Sequence, residues 1–175
     1  MALLPLIEYP DKRLRQQSRT VEKFDASLQR ALDNLVETFY ASGGIGLSAP
    51  QAGDFRRILI MDLSDDRSSA EIFINPEIVG RERPALVEES CLSVPGVIGN
   101  VVRDTRVTVR ASDSEGRVFE RDLEDMEAVC LQHELDHLEG RLFIDRLPIH
   151  RRLSIGLGTF IRNRRKSASQ HVKVA

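Results

Sequence analysis

Tryptophan is absent from the 175-residue chain, and seven phenylalanines and two tyrosines are all the aromatic residues it has. Cysteine occurs only twice, as Cys91 and Cys130. Two cysteines do not make a disulfide framework, and a reducing compartment, the cytoplasm, is the natural setting. No apolar run approaches the roughly 20 residues of a bilayer span, so no membrane partner is expected. The opening MALLPLIEYPDKRL lacks a basic n-region and its apolar run is broken by Pro5. It reads as mature sequence rather than a signal peptide. Acidic residues run out after Arg146: seven Lys/Arg and no Asp/Glu follow, which leaves 18 basic against 27 acidic residues before that point. A basic end of this kind is either a solvated tail or a contact for a polyanion such as RNA. Nothing suggests DNA as a partner.

The length suits one domain, expected over 1–165, with a polar basic tail over 166–175. Hydrophobic residues make up 41% and charged residues 30%, as in ordinary globular proteins. Residues 26–40 predict a helix, with Leu28, Ala31, Leu32, Leu35, Val36 and Phe39 on one stripe, Asp25 as its cap and the SGG run at 42–44 as its end. RILIMDL (57–63) and EIFINPEIV (71–79) predict strands. Residues 101–112 and 117–124 predict a hairpin around the SEG turn at 114–116. A helix over 124–139, stopped by Gly140, and a last helix near 149–165 complete the pattern. Strands followed by a functional helix imply an α+β fold. Short, mostly antiparallel strands would pack around a central helix, with an N-terminal and a C-terminal helix beside them.

That central helix contains VCLQHELDHLEG (129–140). His133 and His137 are four residues apart and so share one helical face, where two imidazoles can reach one ion. Glu134 between them is a carboxylate placed as a general base. The alternative is a solvated helix with two surface histidines. A catalytic site takes about three protein ligands and one open position. The pattern that continues H-x-x-G-x-x-H places Phe143 at its last position, and phenylalanine cannot ligate. The acids after His137 are only Glu139 and Asp145, and the remaining histidines are His150 and His171. A ligand from upstream is therefore favoured. Cys130 shares the face but lies seven residues from His137, about 10 Å along the axis, too far to share an ion. Cys91, in VEESCLSVPG, remains, with Pro95-Gly96 expected to turn the chain just after it. Its alternative role is a small buried hydrophobe.

Three segments, GIGLSAPQ (44–51), ESCLS (89–93) and QHELDHLEG (132–140), stand in an order and spacing that closely resemble the peptide deformylase family. PLIEYPDKRL resembles that family's N-terminal segment, and the likeness extends from residue 5 to about 147. Ser48 stands where the family pattern has alanine and Ser90 where it has glycine. Ile98 stands where many members carry an arginine at the substrate cleft.

The resemblance implies a metal-dependent hydrolase that removes the formyl group from the N-terminal formylmethionine of nascent polypeptides. It implies Fe(II) as the native metal, with zinc, nickel or cobalt able to occupy the site. Cys91, His133 and His137 would be the ligands. A metal that lowers the pKa of water supplies hydroxide near neutral pH, and Glu134 would move the proton. The Gln51 amide and the Leu92 backbone N–H would stabilise the oxyanion. The substrate pocket would involve Ile45, Gly46, Val87, Met126, Val129 and Cys130. Glu89 is expected to orient nearby backbone or to pair with Arg103, and the basic end to approach the ribosome. The competing readings are a deformylase-like amidase with altered substrate or low activity, and a metal-binding, ribosome-associated module without turnover. Intact Glu134 and Gln51 speak against the last, because binding alone needs neither.

Overall fold

Asp25 begins the first long helix. Its carboxylate accepts hydrogen bonds from the N–H groups of Ser27 and Leu28, at 2.9 and 3.1 Å, and so satisfies two donors that a helix start leaves free. Helix α1 then runs Ala26–Ser42 and buries Leu28, Leu32, Leu35 and Phe39. Gly43 ends it with φ of +76°, a left-handed conformation that costs glycine little. In the computed structural model, which describes residues 3–157, α1 is followed by five strands in the order of the chain. They are β1 (Gly46–Ser48), β2 (Ile58–Met61), β3 (Glu71–Cys91), β4 (Val94–Ser112) and β5 (Val118–Glu124), and each pairs antiparallel with the next. Helix α2 (Asp125–Leu138) follows β5 directly. The fold class is α+β, as the sequence pattern implies.

Two strands are longer than their alternation marks. β3 has 21 residues and β4 has 19. Register shifts fall between Ile74 and Glu77 and between Ile78 and Gly80. Each shift moves later side chains to the opposite face, so the period-2 pattern is lost although the pairing continues. The exposed run Arg81–Pro84, beyond the expected end of the strand at 79, continues the ladder: Glu82 lies opposite Arg106 and Pro84 opposite Asp104. The tight turn after Cys91 comes just before Pro95-Gly96, where β4 also bulges: Ser90 pairs with Ile98, and Gly96 has φ of +77°. Cys91 pairs with Val94, so Leu92 and Ser93 form the turn and Pro95-Gly96 lie inside β4.

Helix α2 is buried on nearly every side. One side packs on the sheet, where Ala128, Leu131, Leu135 and Leu138 join Leu59, Phe73, Val107, Val109 and Leu123. A second core lies between α1 and β2, and a third joins the Cys91 hairpin to Leu142, Phe143, Ile144 and Leu147. Gly140 closes α2 with φ of +69°, and an added Cβ there would stand 2.5 Å from the backbone oxygen of Arg15. The expected last helix opens at 149 and is helical through 157. Its remainder and the tail at 166–175 lie outside the described residues. No described helix is long and apolar enough to cross a membrane.

Candidate metal centre and active site

The spacing of four residues on α2 sets the His133 and His137 rings beside each other, with centroids 5.2 Å apart. The β3–β4 hairpin brings Cys91 to them across the chain. Its Sγ lies 3.2 Å from His137 Nε2. One ligand atom from each of Cys91, His133 and His137 lies within 4.8 Å of the others. Ligands around one tetrahedral ion at ordinary bond lengths lie about 3.3–3.8 Å apart, and the three could hold one ion. The Phe143 ring stacks beside the His133 ring, centroids 6.1 Å apart and 29° between planes.

A row of buried charges stands behind His133. Its Nδ1 lies 2.8 Å from Glu89 Oε2, which leaves Nε2 for the site. Arg103 donates through Nε and Nη2 to Glu89, at 2.6 and 3.1 Å, and through Nη1 to Asp136 at 2.7 Å. Arg146 closes the row with two hydrogen bonds to Asp136, at 2.7 and 2.6 Å. Burial works to raise the Glu89 and Asp136 carboxyls. Hydrogen bonds from His133 and Arg103 in the first case, and from Arg146 with the charge of Arg103 in the second, outweigh it and hold both below the usual carboxylate range. The Glu89–Arg103 contact is one of the two roles expected for Glu89. Asp136 and Arg146 have no local signal, because their partners stand on other elements.

His137 is fully enclosed, and burial pushes its pKa well below the usual value. A neutral imidazole is the form that binds a metal. Burial raises the Glu134 carboxyl, although the charge of His133 and hydrogen bonds with Ser48 oppose it. One Glu134 oxygen, Oε2, is buried without a hydrogen-bond partner. A thiol, two imidazoles, that of His133 oriented by Glu89, and an unpartnered carboxylate oxygen together form a donor set that fits a divalent ion with an open position beside a base.

A cavity of about 750 Å³ opens on this set. Cys91, His133, Glu134, Gln51 and Leu92 line it, with Ile45, Gly46, Met126, Val129 and Cys130. Val87 does not line it; that side chain is partly buried and packs against the third core. The Gln51 carboxamide is held at both ends. Its Oε1 accepts from the Ser48 N–H and hydroxyl, each at 2.8 Å, and its Nε2 donates to Ser93 Oγ at 3.2 Å. Nε2 is 3.8 Å from Cys91 Sγ. Ser48 and Ser93 escape a reading of isolated motifs, although both sit inside the quoted segments. Gly46 has a steric reason: a Cβ there would be 2.6 Å from Cys130 Sγ and 2.7 Å from Glu134 Oε1. Cys130 itself faces the Ile45 carbonyl at 3.7 Å, and burial and then the charge of Glu134 push its thiol up. Ser90 and Ile98 are cross-strand partners on the cavity wall.

The chain matches the polypeptide deformylase family over residues 3–152. It is 48% identical to a peptide deformylase of Chromobacterium violaceum over 147 residues, 84% of this chain and 88% of that protein. It is 44% identical to peptide deformylase 1 of Shewanella oneidensis over 152 residues, 86% of this chain and 90% of the other. The crystal structure of a peptide deformylase from Legionella pneumophila superimposes with a TM-score of 0.86 at 41% identity, covering 93% of this chain and 98% of that one. With the same fold and matching sequence over most of its length, the chain belongs to the polypeptide deformylase family.

Proposed function

We propose that the chain hydrolyses the formyl amide at the N-terminal methionine of new polypeptides, releasing formate and a free amine, and that Cys91, His133 and His137 hold the metal it needs. A divalent ion bound there lowers the pKa of water and polarises a carbonyl oxygen. Thiolate with two imidazoles accepts Fe(II), Zn(II), Co(II) or Ni(II), and the family likeness favours Fe(II).

Glu134 takes the proton of the attacking water as its oxygen bonds to the formyl carbon. It returns a proton to the nitrogen as the carbon–nitrogen bond breaks. Its raised pKa suits a group that must do both near neutral pH. The Gln51 amide and the Leu92 N–H are the donors assigned to the developing oxyanion. Because Ser48 and Ser93 anchor the carboxamide, Gln51 is oriented before substrate arrives. Ile45, Met126, Val129 and Cys130 offer the methionine side chain an apolar wall, and the absence of a side chain at Gly46 lets a peptide backbone approach. Val87 acts from behind this wall in the same reading. The cytoplasm is the setting, and the basic segment after Arg146 is assigned to ribosome contact.

The observation that carries this proposal is that the Cys91, His133 and His137 cluster meets a cavity lined by Cys91, His133, Glu134 and the Gln51 amide. The test is formate release from formyl-Met-Ala-Ser by anaerobically prepared enzyme loaded with Fe(II) or Ni(II). Turnover by the wild type, and a loss of several kcal/mol of barrier lowering in Glu134→Ala, is the expected result. No turnover by fully metallated wild type would sink it. A second reading, altered acyl-peptide preference, draws on Ser90 and Ile98 lying opposite each other on the cavity wall. Faster turnover of another N-acyl peptide would favour it.

A further inference from the structure

Gly43 and Gly44 form a rim of the cavity between the end of α1 and the start of β1. Adjacent glycines lose more backbone freedom on ordering than any other pair. At Gly46 the rim is held by the β1–β2 ladder, where Gly46 pairs with Met61, and the Ile45 carbonyl accepts from the Asp62 N–H at 3.0 Å. The two glycines themselves are held from outside the rim. Arg67 donates through Nη1 to the Gly43 carbonyl at 3.0 Å and through Nη2 to the Gly44 carbonyl at 2.8 Å. Its guanidinium also lies over the rings of Phe39 and Tyr40, 5.5 and 6.0 Å from their centroids.

Arg67 is itself anchored. The 62–70 loop that carries it is pinned by Asp62, which accepts from the Ser64 N–H and hydroxyl, from the Ser69 N–H and from the Tyr40 hydroxyl. The Ala70 N–H donates to the same Tyr40 oxygen at 3.1 Å. Arg67 adopts φ of +52°, a conformation uncommon for a residue with a side chain. The loop thus ties α1, the rim and the start of β3 together, and the two-pronged guanidinium is the part that touches the cavity wall.

We propose that Arg67 is a positioning residue for peptide substrate: it clasps the Gly43–Gly44 rim in its binding shape, so that substrate does not have to order it. The inference rests on the reading of this cavity as the peptide site. A binding surface that is already ordered loses less affinity to ordering at each encounter, so the clasp acts on substrate binding rather than on proton transfer at Glu134. One planar fork spans two carbonyls, and a lysine ammonium does not reproduce that geometry.

The experiment compares Arg67→Ala and Arg67→Lys with wild type on formyl-Met-Ala-Ser, with thermal melting and hydrogen exchange of the rim amides followed in parallel. The expected result for Arg67→Ala is a rise in KM of about tenfold, with kcat held within about twofold and faster exchange at residues 43–46. Arg67→Lys should recover only part of the loss. An unchanged KM with unchanged exchange would overturn the clasp, as would equal falls in kcat and kcat/KM or full rescue by lysine. Absence of formate release by wild type would overturn the substrate reading instead, and the exchange data would still decide whether Arg67 orders the rim.

Discussion

Arginine–carboxylate pairs occur in two parts of this molecule with opposite surroundings. Behind the metal centre, Arg103 joins Glu89 and Asp136 with side chains 1%, 5% and 7% exposed. On the β4–β5 ladder, Arg110 meets Glu120 with both side chains about half exposed, at 52% and 50%. Arg106 meets Asp122 and Glu124 nearby. The distances hardly differ: 2.6 Å for Arg103 Nε to Glu89 and 2.6 Å for Arg110 Nη2 to Glu120. Contact geometry therefore does not rank them. Solvent does, because water screens the ladder pairs and competes for each partner, while the buried row has only itself. The buried row also ends on Nδ1 of His133, a member of the candidate metal site. The ladder pairs decorate strands that the backbone already holds.

The sharpest way to break this contrast is Arg103→Met, which leaves Glu89 and Asp136 buried without their shared cation. A loss of about 3–5 kcal/mol in urea unfolding is expected, with weaker metal retention against a chelator as His133 loses its orientation. A cost near that of a surface pair would erase the distinction. An intermediate case is Asp62, whose carboxyl is held down from 3.8 to about 2, first by the Ser64 hydroxyl, with burial opposing and further hydrogen bonds assisting. A folded pKa below the unfolded one stabilises above the unfolded value and is lost as pH falls. Wild type should therefore lose stability between about pH 4 and pH 2 more steeply than Asp62→Asn, as read from Tm against pH. Parallel curves would mean that the Asp62 hydrogen bonds do not favour its charged form. The smallest effect belongs to Arg110→Ala: about 0.5 kcal/mol or less, shrinking further in 1 M salt. A loss several times larger would show that the ladder pairs act as a network.

Parts of the site could be read before any fold was known. His133, Glu134 and His137 lie within one turn of one helix, so their relation follows from helical period alone. Exclusion of Cys130 follows from helical rise, and its thiol indeed faces Ile45. The α1 stripe and its Asp25 cap are local in the same sense. The long strands were not legible, because three register shifts and the polar run at Arg81–Pro84 interrupt the alternation that marks a strand. The turn at Leu92–Ser93 was hidden by Pro95-Gly96, a stronger turn signal that bulges β4 just after it. Val87, assigned to the pocket by likeness, packs against the third core instead.

By itself the sequence determined the chemical kinds present: one helix with two imidazoles and a carboxylate at fixed spacing, a thiol upstream, and the family they imply. Tertiary structure alone decided which groups meet. Cys91 reaches His137 over 46 residues, Arg103 reaches Asp136 over 33, and Arg67 reaches the glycine rim over more than 20. The reason is physical. Helical spacing is a property of neighbouring dihedral angles and can be read locally. The meeting of distant side chains depends on strand register and on burial, where each polar group must find its partner out of reach of water.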